Sequence, residues 1–196
     1  MSRPDFNTTG STVWACEEIV NYLKPILEGE VREVGKIQTV ERHVGRFDTP
    51  AEVKRWLSNR DGGVRIAALR TSGNEVIGGR LIGMVDFVAY IFTADQFGYP
   101  RDARAEVIAG KLVNSLVRKA APTSAYERAS NVRSDNLYSG KIDELGVAIW
   151  TVTWSQKWRL DEELDLTTLD EFRTFGLTGE VAEGAPTIDG EVQLPQ

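Results

Sequence analysis

The chain has one cysteine and one histidine in 196 residues, and that scarcity removes whole classes of chemistry. Cys16 has no second cysteine with which to form an intrachain disulfide. A site with several His or Cys ligands would need Cys16 and His43 to meet, and neither lies at a ligand spacing. Cys16 falls in an amphipathic segment, where a buried inert thiol is the expected role. His43 sits in Glu41-Arg-His-Val-Gly45 with no motif around it, so no Ser–His–Asp or Cys–His arrangement is indicated. Carboxylates alone could hold magnesium or calcium, but no Asp-x-Asp-x-Asp-Gly loop is present.

Long apolar runs are also missing. Nothing approaches the roughly 18 consecutive apolar residues of a membrane span. The opening Met-Ser-Arg-Pro-Asp-Phe-Asn has no signal-peptide pattern, so synthesis in a cytoplasm is expected. Phosphate-binding loops and a Gly-x-Ser-x-Gly elbow are absent, and Gly62-Gly63 and Gly78-Gly79 read as turns. A basic excess is missing too. Residues 1–158 hold 21 Lys/Arg against 19 Asp/Glu, whereas residues 159–196 hold two against ten. The net charge of −6 therefore belongs to the tail, and the body lacks the cationic surface that grips nucleic acid. The acid pairs Asp161-Glu-Glu163 and Asp170-Glu171 lie in that tail and read as a solvated face rather than a hydrolytic dyad.

What is present is ordinary globular material, with 41% hydrophobic and 27% charged residues, enough for one domain with an appendage. After ten polar residues expected to be mobile or partner-ordered, Val13, Cys16, Ile19, Val20, Leu23, Ile26 and Leu27 recur at helical spacing. Pro25 should kink or end that helix. A short strand is expected over 33–41. Thr49-Pro-Ala-Glu52 is a capping box that opens a helix through Val53, Trp56 and Leu57. A strand over 64–70 should end in the turn chemistry of Thr71-Ser-Gly-Asn-Glu75. Residues 80–93 are apolar on both faces, which marks a central strand. Asp86 is its odd member, read as hydrogen-bonded within the fold or at a rim rather than catalytic.

Asp102 should cap a further helix that buries Val107, Ile108, Leu112, Val113, Leu116 and Val117 and closes at Ala121-Pro122. A short strand over 129–133 and a polar connection over 134–140 follow. Beyond residue 158 come a weak helical piece over 167–175 and an extended or disordered end over 179–196. The expected organisation is a flexible segment 1–10, a domain 11–158 and an acidic arm 159–196. The expected fold is α+β: an antiparallel or mixed sheet with helices packed mainly on one face, plus the extended acidic arm.

The most informative stretch is Gly146-Val-Ala-Ile-Trp-Thr-Val-Thr-Trp-Ser-Gln-Lys-Trp158. With a period of two, Ala148, Trp150, Val152, Trp154 and Trp158 share one face, interrupted by Gln156. Thirteen extended residues span about 43 Å, longer than a typical strand of about six residues. The stretch reads either as an ordinary core strand or as one that projects beyond its core and packs against a partner. In the second reading Trp150 lies in the core while Trp154 and Trp158 approach a subunit contact.

Asp135-Asn-Leu-Tyr-Ser-Gly140 followed by Val147-Ala-Ile-Trp-Thr-Val-Thr-Trp154 resembles the C-terminal half of the tail terminator proteins of Mu-like tailed phages. The leading helix with Cys16-Glu-Glu-Ile-Val20, the hairpin ending in Val85-Asp-Phe-Val88 and the helix over 103–119 are similar to the same layout. The resemblance covers roughly residues 10–175 and rests on pattern and order. It implies a virion structural protein made in the host cytoplasm and placed at the head–tail junction. Such a protein would form a ring, hexameric in that family, that caps the tail tube, stops its growth and joins the tail to the head-completion or connector protein. In contractile phages it would also meet the sheath.

Genomic DNA would pass through the lumen without sequence-specific binding. No cofactor, metal, membrane or catalytic residue is implied, and the protein is not expected to be an enzyme. Candidate contact residues are Trp154, Trp158, Arg159, Glu162, Glu163 and Asp165, with the last three acids also candidates for a lumen lining that repels phosphates. A head–tail adaptor ring, or a cytoplasmic binding module using the tryptophan strand, remains the alternative.

Overall fold

The computed structural model describes residues 4–30, 32–45, 62–119, 121–162, 174–179 and 188–193. The chain divides into two compact units, Met1–Glu162 and Glu163–Gln196. The expected helix opened by Thr49 lies outside the described residues.

The first unit follows the order α1 (Thr12–Leu27), β1 (Thr39–Arg42), β2 (Gly63–Ile77), β3 (Arg80–Thr93), α2 (Arg101–Arg118), β4 (Ser130–Asn136), α3 (Gly140–Asp143) and β5 (Ala148–Arg159). Its five strands form one sheet in the order β1-β2-β3-β5-β4. The β1–β2 pair is parallel and the other pairs are antiparallel. The fold is thus α+β with a mixed sheet.

Ser11 starts α1, its hydroxyl oxygen accepting from the Trp14 amide at 3.2 Å. Ala15, Cys16, Ile19, Val20, Leu23 and Leu27 form the buried stripe. Pro25 is accommodated in the last turn, and the helix ends two residues later. The expected strand over 33–41 shrinks to β1. The reason is local: Ile37 exchanges backbone hydrogen bonds with Leu27 and Gly29 at 3.0 Å each, so it belongs to the exit from α1. Helix α2 starts at Arg101, one residue before the expected cap. Asp95, not Asp102, supplies the acceptor, its Oδ1 taking the Arg101 amide at 2.8 Å. The buried face of α2 uses Arg104, Ala105, Ile108, Ala109, Leu112, Ser115 and Leu116, while Val107 and Val117 face solvent.

Helices α1 and α2 cover one sheet face. There Val64, Ile66, Val85, Phe87, Ala89, Ile91, Val152, Trp154 and Trp158 meet the two helices in the main core. On the opposite face Ala67, Val88, Tyr90, Phe92, Val147 and Ile149 form a second cluster, closed in part by Ile142 and Leu145 around α3. Strand β3 is therefore covered on both sides, as its sequence predicts.

The hairpin differs from expectation. Residues 71–75 stay in β2, and the chain reverses at Gly78 and Gly79, both at positive φ (58° and 78°). Two glycines at positive φ suit a tight two-residue hairpin turn whose twist matches the strands. The polar residues upstream produce irregularities between Ala68 and Arg70 and between Ser72 and Glu75 instead. Strand β4 runs on to Asn136, through the first part of the expected polar connection.

In the second unit, β6 (Thr174–Gly179) and β7 (Ile188–Gln193) form an antiparallel pair. Thr174 and Phe175, expected to end a helical piece, are strand; the rest of that piece lies outside the described residues.

Candidate functional site

The tryptophan strand is where sequence and structure part most usefully. Every residue of β5 pairs with β3, from Ala148 opposite Thr93 to Arg159 opposite Ile82. Its length is therefore matched by an equally long neighbour and does not overshoot. Trp154 is 2% and Trp158 0% exposed. Phe87 stacks on Trp154 at 5.2 Å, and Trp14 of α1 meets Trp158 edge to face at 5.8 Å. This corrects the assignment of the outer tryptophans to a subunit contact: α1 and β3 already cover them. Trp150 is the less buried of the three, the reverse of the expected order.

Two of the remaining candidate residues, Arg159 and Glu162, lie at the end of β5. Arg159 is half-buried and, among the described residues, has no ion-pair partner. Glu162 is exposed, and its Oε1 accepts from the Asn7 side-chain Nδ2 at 2.8 Å. Glu163 and Asp165 lie outside the described residues. Asp161, not singled out from sequence as a contact, holds Arg80 through both carboxylate oxygens (3.0 and 3.1 Å) and accepts the Leu81 amide at 2.9 Å. The Arg80 hydrogen bond is the chief reason its carboxyl sits below the usual range.

Among the described residues, Phe6, Val44, Val107, Val117 and Tyr126 are exposed apolar side chains scattered over other elements, and further ones lie at the two ends of the sheet. At the hairpin end, residues 70–77 are all exposed, and Val76 is 72% exposed beside Ile77. Thirteen residue steps along β3, about 44 Å away, lies the other end. There Gln96 and Tyr99 exchange backbone hydrogen bonds at 3.1 and 2.9 Å around Phe97 and Gly98, at φ 50° and 81°. Phe97 is 61% exposed. A phenylalanine in the left-handed region costs on the order of 1 kcal/mol or more, so this turn holds an aromatic outward where Gly or Asn would fit more easily. Tyr99, Leu137 and Tyr138 (71% exposed) complete the group.

Beside these aromatics is a depression of about 390 Å³ whose lining includes Asp95, Asp102, Glu106, Tyr138 and Asp143. Among the described residues its one cation is Arg101, bound by Asp143 and Asp95, with the Asp143 hydrogen bond the first cause of its raised pKa. Asp102 and Glu106 have no ion-pair partner among the described residues. The end is thus aromatic and acidic.

A broader depression of about 780 Å³ lies mid-sheet by Arg70, Asp86, Arg133 and Ser155. Asp86 accepts from Ser155 Oγ at 2.6 Å and from Arg70 Nε. The Ser155 bond leads in holding its carboxyl below the usual range, with Arg70 adding to it. Asp86 is thus hydrogen-bonded within the fold, as expected from sequence. The Cys16 thiol donates to the Ile66 carbonyl at 3.1 Å, and burial pushes its pKa up to about 12, the signature of an inert thiol. The buried His43 gives its backbone amide to the Ile66 carbonyl at 2.6 Å. Among the described residues no group of three or more His, Cys, Asp or Glu is placed to hold a metal, and no helix is long and apolar enough to cross a membrane.

These features define a mixed-sheet α+β protein with a set of exposed aromatic side chains at one end of its sheet. No protein family and no curated protein matches the chain. Among solved structures it is similar to a chain of the virion of a native gene transfer agent particle, with 11% identity and a TM-score of 0.41 over 75% of this chain and 97% of that one. That likeness assigns no role to any residue here.

Proposed function

We propose that this chain is a structural protein of a tailed-phage virion, a tail terminator whose copies form a ring on the last ring of the tail tube. The ring stops tube growth by presenting a surface that no further tube subunit fits, and it joins the tail to the head connector. It uses no cofactor and performs no covalent chemistry. DNA passes through its lumen without sequence-specific contact, since the body lacks a basic excess.

The observation that carries this reading is the set of exposed side chains Phe97, Tyr99, Leu137 and Tyr138 at one end of a sheet whose central strand is covered on both faces. Such surfaces suit protein neighbours. The similarity of the Asp135–Gly140 and Val147–Trp154 stretches to tail terminators supplies the tail. Lysates of a phage lacking the gene should contain overlong tubes or tails unjoined to heads by electron microscopy. Normal tail length together with normal joining overturns the proposal, and normal tubes that fail to join heads reassign the chain to an adaptor ring.

A further inference from the structure

We propose that residues 7–11 are the keeper of the Asp161 clasp, so that the segment entering α1 and the segment leaving β5 hold or release together. This coupling is independent of the ring reading and is carried by its own contacts.

The contacts run in opposite order along the two segments. Trp14 packs on Trp158, Gly10 lies against Asp161, and Asn7 Nδ2 donates to Glu162 Oε1 at 2.8 Å. The approach at Gly10 is backbone to backbone. A Cβ there would stand 2.5 Å from the Asp161 carbonyl carbon and 2.7 Å from its oxygen. Gly10 also has a φ of 75°, where a side chain is strained. Both facts favour glycine at that position. The turn is shaped by its own bonds. Asn7 Oδ1 accepts the Thr9 amide at 3.0 Å, and Ser11 gives its amide (3.0 Å) and its hydroxyl (2.5 Å) to the Thr8 carbonyl. Asn7 thus shapes the turn with its oxygen and reaches the exit of β5 with its nitrogen.

The same exit is bound by the base of the hairpin. Arg80 and the Leu81 amide hold the Asp161 carboxylate, and the Leu160 amide donates to the Leu81 carbonyl at 2.8 Å. A Cβ at Gly83 would stand 2.6 Å from Leu160 Cδ1, so the packing is close there too. Residues 160–162 are therefore held by two separate segments, 80–83 and 7–10. Local opening has to break both sets of contacts. Coupling of this kind is reciprocal, so loosening either set loosens the other. A partner that captures residues 7–10 frees the exit of β5, and a pull from beyond Glu162 loosens the entry to α1.

Amide hydrogen exchange on the full chain tests the coupling. Asn7→Ala should speed exchange at the Leu81 and Leu160 amides about tenfold. The amides of residues 87–91 in β3 and the melting temperature should stay as in wild type. Gly10→Ala should do the same. In the reverse direction, Arg80→Ala should speed exchange at the Thr9 and Ser11 amides about tenfold.

Unchanged exchange at Leu81 and Leu160 in both N-terminal variants overturns the keeper. So does an Arg80→Ala chain whose Thr9 and Ser11 amides exchange as in wild type, because the coupling must run both ways. Protection lost throughout residues 87–91 in Asn7→Ala also overturns it, since the segment would then belong to the global fold. If Gly10→Ala melts early, the Asn7 and Arg80 variants still decide.

Discussion

The two halves of β2 share one partner strand and one ladder, yet they have opposite surroundings. Residues 63–67 are buried; residues 70–77 are exposed without exception. The first half has β1 alongside and a helix above, and its apolar side chains enter both clusters. The second half is held by pairing with β3 and by polar ties. Arg70, Asp86 and Ser155 link three strands, and Lys157 lies within 4 Å of Glu75 and Glu127. Pairing sets the path of the strand, while burial sets its worth to stability. A segment that contributes little to the core is free to carry a contact surface.

The sharpest way to break this contrast is to substitute each half of the hairpin in turn. Phe87→Ala, at the buried end of the hairpin, should cost about 3–5 kcal/mol and lower the melting temperature by roughly 10 °C. Ile77→Asp at the tip should change stability by no more than about 0.5 kcal/mol. Comparable melting losses at both sites would erase the distinction.

At the other end of the sheet, Phe97→Asn should stabilise the chain by about 1 kcal/mol, measured by chemical denaturation. A destabilised Phe97→Asn would mean that the ring is a structural anchor.

The smallest effect concerns acid. Asp86 has a folded-state pKa below its ordinary carboxylate value. Its contribution is therefore present above that ordinary value and is lost as pH falls through the lowered one. Asp86→Asn should flatten the pH dependence of stability in that acidic window and leave it unchanged near neutrality. An unchanged acid limb would show that the Ser155 and Arg70 bonds contribute nothing net.

Much of this architecture was legible in residue spacing. Strand β3 shows its bounds because both its faces are apolar up to Thr93 and its glycine pair lies immediately before Arg80. Helix α1 shows its stripe for the same reason. The turn at residues 71–75 was misplaced because Thr, Ser, Gly and Asn suit bulges as well as reversals, and Gly78-Gly79 outcompetes them for the tight turn.

The tryptophans show the limit more clearly. A period of two correctly put Trp150, Trp154 and Trp158 on one face, but it cannot say what covers that face. The cover comes from Trp14 and Phe87, 144 and 67 residues away from their partners in sequence. The aromatic end was missed outright. Its residues come from two loops, Phe97 and Tyr99 in one and Leu137 and Tyr138 in the other, brought together by the pairing of β3 and β4 with β5. No periodicity spans such a group.

The clasp at Asp161 has a mechanical consequence. Tension arriving from beyond Glu162 meets the two Arg80 bonds and the Leu81 amide before it reaches β5. Behind them, ladder bonds that run across the strands would be loaded in shear along β5, so many must yield together rather than one at a time. A pull from beyond Glu162 is therefore delivered to β5, an interior strand of the sheet, through a three-bond latch.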